Sequence, residues 1–286
     1  MTEAVVYLYQ IGFSIGIFIL VSLGLAIIFG MMRVINLAQG EFIMLGAYIC
    51  LFTTQAGVNF WVAALIAGLG VGVFGIIVER VLIQFLYGRI MDTLLATWGL
   101  SLFMVGLVTT VFGPQEAGVE AQLGKVWVGD YSIPEYNLVL IAIAFLLLIL
   151  TFCLWRFTRA GLIVRGTMQN PGMAAALGVN TRLCYMLTFG FGSALTGFAG
   201  AIIAPIIGNQ PTMGSFYIAK AFITVISGGH LPLVGTLYAS GLFGATDGIV
   251  SYFYTQVLGE IAVLLAAILL LRLLPQGITG YFRRGL

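Results

Sequence analysis

Long apolar runs separated by short polar breaks dominate this chain. They fall at about 7–31, 34–54, 60–80, 92–113, 137–155, 185–207, 214–229, 233–254 and 257–273. A helix needs roughly 18–20 apolar residues to cross a bilayer, and most of these runs reach that length. The pattern predicts an all-α polytopic membrane protein with about nine membrane segments, within the range 8–10. The run 214–229 is short and holds Lys220, which predicts a broken or re-entrant helix. A second break is predicted near 36–42, where Asn36, Gln39 and Glu41 interrupt an otherwise apolar stretch and Gly40 weakens the helix. Broken backbone at membrane depth is tolerated only inside protein or beside a water-filled cavity.

Composition agrees with the pattern. Of 286 residues, 61% are hydrophobic, 8% are charged and 38 are glycine, with a mean hydropathy of +1.11. Abundant glycine is expected where helices pack closely in lipid. No polar segment is long enough to fold by itself, so residues 1–286 read as one transmembrane domain with a polar linker at 156–184. The N-terminal "MTEAVVYLYQ" lacks a basic leader, so the first span is expected to be retained. Cys50, Cys153 and Cys184 fit no metal spacing and read as packing residues. The net charge of +2 carries little information by itself, and no nucleic-acid partner is expected.

The distribution of basic residues sets an expected orientation. The linker 156–184 carries Arg156, Arg159, Arg165 and Arg182 and no acid, Arg80 and Arg89 flank another loop, and Arg283 and Arg284 close the chain. The loop 114–136 instead holds Glu116, Glu120, Asp130 and Glu135 against Lys125. Cytoplasmic basic loops place the N-terminus and 114–136 outside. Nine crossings then bring the C-terminus inside.

Within the linker, "QNPGMAAALGVNTR" specifies a short helix at about 171–177. Asn170 is a suitable N-cap, Pro171 suits the first helical position, and Gly178 can take the left-handed conformation that ends a helix. Met173, Ala174 and Leu177 then form one small apolar face. Such a helix can dock in a groove on another protein or lie on the lipid surface, and geometry alone leaves both open.

Five motifs in order carry a resemblance. "GLAIIFGMMRVINLAQGEFIMLGAY", "MAAALGVNTR", "LTFGFGSALTGFAGAIIAPI", "PTMGSFYIAKAF" and "LLPQGITG" resemble the inner-membrane permease subunits of branched-chain amino-acid ABC importers, over about residues 12–280. The resemblance implies that Asn170, Pro171, Met173, Ala174, Ala175, Leu177 and Gly178 form the helix that couples to a cytoplasmic ATPase. It also implies a second permease subunit, identical or different, two ATP-binding subunits, a periplasmic or extracellular substrate-binding protein, and a bacterial or archaeal plasma membrane. The acidic residue usual before the alanines is replaced by Gly172 and Met173.

The chain has no G-x-x-x-x-G-K-[ST] loop, because its Gly124-Lys125 is followed by Val126. ATP is therefore expected on the partner, with no cofactor in this chain. No H-E-x-x-H motif is present and His230 is the only histidine, so an embedded enzyme is not expected.

Charges inside the spans are the remaining candidates. An ionisable group there costs on the order of 3 kcal/mol unless it faces a cavity or partner. Asn36, Gln39, Gly40, Glu41, Lys220 and Asp247 are candidate substrate-pathway or gate residues, with interhelical packing as the alternative. On an ideal helix Glu41 turns away from Gln39. A break at Gln39-Gly40 would let all three polar groups face one cavity. Lys220 is expected to pair with Asp247 or Glu41, and Glu260 to reach water. The apolar spans suit branched-chain amino acids. "IGNQPTMGSFYI" also resembles urea and short-amide permeases. A stand-alone channel or secondary transporter is the further alternative, but it gives a capped cytoplasmic helix no purpose.

Overall fold

In the computed structural model, residues 2–32, 34–119, 121, 123–128, 131–229 and 231–282 are described. Arg33, Glu120, Asp130, His230, Arg283 and Arg284 lie outside the described residues. The helices are α1 (Thr2–Met32), α2 (Gln39–Gln55), α3 (Phe60–Val81), α4 (Ile90–Phe112), α5 (Glu135–Phe157), α6 (Arg159–Gln169), α7 (Pro171–Ala176), α8 (Thr181–Ile207), α9 (Met213–Gly228), α10 (Pro232–Phe253), α11 (Gln256–Leu273) and α12 (Ile278–Phe282). A two-stranded antiparallel hairpin, β1 (Lys125–Val128) and β2 (Tyr131–Pro134), caps one end with Val126 opposite Ile133.

Each apolar run forms a helix, but the helices differ in reach. Seven (α1, α3, α4, α5, α8, α10 and α11) are long and apolar enough to cross a membrane. Helices α2, with 17 residues, and α9, with 16, are shorter. The sequence run 34–54 overstates α2, because residues 34–38 are not helical.

Helix direction follows from α5. At its start, Asn137 Nδ2 donates to Tyr9 near the beginning of α1, and Tyr136 donates to the carbonyl of Ile202 near the end of α8. At its far end, the Trp155 indole meets Met31 near the end of α1. Helices α1 and α8 therefore run in opposite directions. The bundle has a hairpin end, with β1–β2, and a linker end, with α6 and α7.

The two halves are alike. "AQGEFIMLGAY" (38–48) and "TMGSFYIAKAF" (212–222) share Gly40/Gly214, Phe42/Phe216, Ala47/Ala221 and a following aromatic. In each case the segment opens a short helix that follows a long one. The packing repeats as well: α3 lies on α8 as α10 lies on α1, and α2 lies on α3 as α9 lies on α10. Together with the opposed α1 and α8, this is an inverted repeat, a common plan for transporters.

Small residues bring the helices together. A Cβ on Gly46 would strike the backbone of Gly197, one on Gly24 would strike Thr196 and the Gly192 carbonyl, and one on Gly244 would strike the backbone of Ile15. With little hydrophobic force between helices in lipid, such close backbone approach supplies the packing. Phe18, Phe42, Phe189 and Phe243 fill the core. The outer faces of α4, α5 and α11 expose apolar side chains such as Leu102, Phe103, Leu146 and Leu265.

Candidate functional site

The polar turn between α1 and α2 is the first candidate. The chain leaves the helix after Met32 and re-enters it at Gln39. The break thus precedes Gln39 rather than falling at Gln39-Gly40, and Gly40 lies within the first turn of α2. The physical reason is local. Asn36 Oδ1 accepts from Ala38 N at 3.1 Å, and its carbonyl accepts from Gln39 N at 3.2 Å. An Asn side chain that bonds its own backbone two residues on favours a turn over a helix.

Neighbouring helices hold this turn in place. Leu37 N donates to Thr97 Oγ1 on α4 at 3.1 Å, and the Thr97 hydroxyl lies 3.4 Å from the Ile35 carbonyl. Asn36 Nδ2 donates to Gln39 Oε1 at 3.2 Å, and Gln39 Nε2 donates to Thr196 Oγ1 on α8 at 2.5 Å. Both amides are fully buried. Gly40 meets Gly214, the first-turn glycine of α9, so the starts of the two short helices touch.

Glu41 points elsewhere. Its Oε1 accepts from Ser101 Oγ on α4 at 2.9 Å, and its Oε2 has no partner among the described residues. The three polar groups therefore divide between α8 and α4. A cavity of about 650 Å³ lies instead at the hairpin end, against Gln55, Gly57, Asn59 and Trp61.

The second candidate is the intramembrane charge group. Lys220 on α9 pairs with Glu260 on α11 at 2.9 Å. The expected pairing of Lys220 with Asp247 or Glu41 is not what forms, and Glu260 has a protein partner rather than only water. Helices α9 and α11 pack together, which brings the early part of α11 against the lysine. The two side chains keep 20% and 48% of their surface exposed. Asp247 lies on α10 beside them. Gly259 packs close to Asp247 Oδ1 and Ser251 Oγ, and neither atom has a hydrogen-bond partner among the described residues.

The linker forms the third candidate. Thr158 caps α6 through Gly161 N at 3.1 Å. Asn170 Oδ1 accepts from Met173 N at 2.9 Å, Pro171 opens α7, and Gly178 ends the turn with φ of +88°. The caps act as the sequence predicts, though α7 stops at Ala176 and Leu177 is its C-cap. Met173 and Leu177 are 60% and 78% exposed, whereas Ala174 is buried. The apolar face therefore consists of Met173 and Leu177, with Ala174 turned inward. Ala175 is exposed. Asn180 then caps α8 through Leu183 N at 3.1 Å.

Several partners escape sequence reasoning. Ser101, Thr97 and Thr196 are hydroxyls in apolar helices, where they more often bond their own backbone. Near the linker end, Tyr87 donates to the buried Glu79 at 2.5 Å and lies edge-tilted on Tyr185, with ring centroids 5.1 Å apart. Burial, followed by the adjacent Glu79 carboxylate, pushes the Tyr87 hydroxyl well above its usual pKa. Among the described residues, no cluster of His, Cys, Asp and Glu could hold a metal ion.

The model of a family described as branched-chain amino acid transport system / permease component matches residues 7–274. The chain is 25% identical to the high-affinity branched-chain amino acid transport system permease protein LivH of Escherichia coli, over 278 residues covering 91% of this chain and 90% of the relative. It is 24% identical to LivH of Salmonella typhimurium over the same shares. It is 26% identical to the permease protein BraD of Pseudomonas aeruginosa, covering 98% of both chains. No solved structure matches the chain.

Proposed function

The chain belongs to the family of permease components of branched-chain amino acid transport systems, and on that premise we propose that it is the membrane permease of an ATP-driven importer for branched-chain or other hydrophobic amino acids. The observation that carries the reading is α7, a helix capped at both ends that presents Met173 and Leu177 away from the bundle. A short rigid helix with two apolar side chains suits a groove on a partner protein.

The chain is a transport subunit, and ATP is bound by its partners. Two ATP-binding subunits sit beneath two permease subunits, and a binding protein delivers substrate from the other face. The linker end is cytoplasmic and the hairpin end external, with nine crossings formed by the seven long helices and the shorter α2 and α9. Arg156, Arg159 and Arg165 at the linker end support this orientation.

Closure of the ATPases moves α7. Only residues 177–180 separate α7 from α8, and α8 packs against α1, α2 and α3. Motion of α7 therefore reaches the centre of the bundle directly. Asn36, Gln39 and Gly40 anchor the shorter helices in this cycle. Glu41, Lys220 and Asp247 are the charged groups available to the transport pathway.

The test is uptake into vesicles containing the permease, its ATPases and the cognate binding protein, comparing leucine with urea. ATP-dependent leucine uptake supports the proposal. Urea uptake without leucine uptake would move the chain to the amide-transporting relatives, and uptake without ATP would make it a stand-alone carrier.

A further inference from the structure

We infer that the Lys220–Glu260 pair is a recognition site for the zwitterionic head group of an α-amino acid, with Lys220 taking the carboxylate and Glu260 the ammonium. This inference rests on the amino-acid reading above and names which residues meet the substrate.

The pair is an unusual use of charge in this protein. It lies in largely apolar helices, α11 carrying one further charge, Arg272, in its last turn, and an intramembrane charge is costly unless a partner or an aqueous path offsets it. The two charges meet at 2.9 Å, yet the glutamate keeps 48% of its side-chain surface open and the lysine 20%. Enclosing an ion pair costs desolvation, and a pair left partly open keeps the freedom to exchange partners. Among the described residues nothing covers the exposed half of Glu260, so a ligand reaching it would need no unfolding of the helices.

The local charge is also unbalanced. Asp247 adds a second carboxylate nearby, with its Oδ1 buried beside Gly259 and without a hydrogen-bond partner among the described residues. One lysine thus faces two carboxylates. When a ligand carboxylate claims Lys220, the released Glu260 needs a cation, and the ligand ammonium supplies it. A zwitterion can exchange with the ion pair at no change in net charge. A neutral amide such as urea offers no full charge to either partner and has no means of separating them. Charge-assisted hydrogen bonds are about twice as strong as neutral ones, which favours the zwitterion further.

The experiment measures ATP-driven leucine uptake by the complete reconstituted complex at saturating loaded binding protein. Lys220→Met and Glu260→Gln are compared with the double exchange Lys220→Glu/Glu260→Lys, which restores an ion pair of reversed polarity. Co-purification of the ATPases shows that each variant is assembled. We expect each single variant to lose at least tenfold in maximal rate with an unchanged half-saturating concentration of loaded binding protein. We expect the exchanged pair to stay inactive. Recovery of the rate in the exchanged pair would overturn the inference, because it would show that only the join between helices matters. Wild-type rates in the single variants would overturn it as well. If the wild-type complex does not import leucine at all, the amino-acid reading fails first, and this outcome is separate from the other two.

Discussion

Gly40 and Gly214 meet backbone to backbone, each occupying the space that a side chain on the other would need. They hold equivalent positions in the two halves, at the first turns of α2 and α9. The contact is reciprocal, as expected of residues on an approximate twofold axis. Gly40→Val and Gly214→Val should each lower the melting temperature of the detergent-solubilised protein. Overpacking of a tight site costs about 1–3 kcal/mol, and backbone relaxes less readily than side chains. Gly99→Val is a suitable control, because a Cβ there meets open space. Equal effects at Gly40 and Gly99 would show that the contact is unimportant.

Gln39 bridges Asn36 and Thr196 while fully buried. Gln39→Leu leaves Asn36 Nδ2 and the Thr196 hydroxyl with one fewer partner each. Loss of one partner of a buried hydrogen bond costs about 1–3 kcal/mol. Pairing Gln39→Leu with Thr196→Val should be less destabilising than the sum of the two single changes, since both polar ends are then removed. Strictly additive unfolding energies would show that the two residues do not interact.

Tyr87 and Glu79 form a third test. Tyr87→Phe keeps the ring that packs on Tyr185 but removes the donor to a buried carboxylate. The expected loss is about 1–3 kcal/mol, read from thermal unfolding. Tyr185→Phe, whose hydroxyl makes no such bond to Glu79, should change stability less. The reverse ranking would place the stabilising interaction elsewhere.

The linker gives a functional prediction. Ala175 is exposed on α7, and Gly178 holds φ at +88°. Ala175→Glu should leave insertion and stability near wild type while reducing ATP-driven uptake at least tenfold. Gly178→Glu should do the same and also cost about 1–2 kcal/mol, because a side chain disfavours the left-handed conformation. Normal uptake by Ala175→Glu would remove α7 from the coupling pathway.

Local chemistry made much of this protein legible from its residues. Each apolar run became a helix, because in lipid the backbone must satisfy its hydrogen bonds within the segment. The α7 caps at Asn170, Pro171 and Gly178 were readable for the same kind of reason: their partners lie within a few residues. The inverted repeat was also present in the sequence, in the matched Gly-x-Phe of residues 40–42 and 214–216. Its meaning depends on knowing that the halves run in opposite directions.

Tertiary structure decided the rest. Asn36 turns the chain ahead of Gln39 through its own backbone, but the anchors of that turn, Thr97 and Thr196, lie about 60 and 160 residues away. Lys220 meets Glu260 on α11, although α9 packs more extensively on α10 and α2, which carry Asp247 and Glu41; there Glu41 turns to Ser101 and Asp247 packs beside Gly259. Periodicity fixes which residues share a face of one helix. Which neighbour that face meets is set by the packing of all the helices together, and a single sequence does not record it.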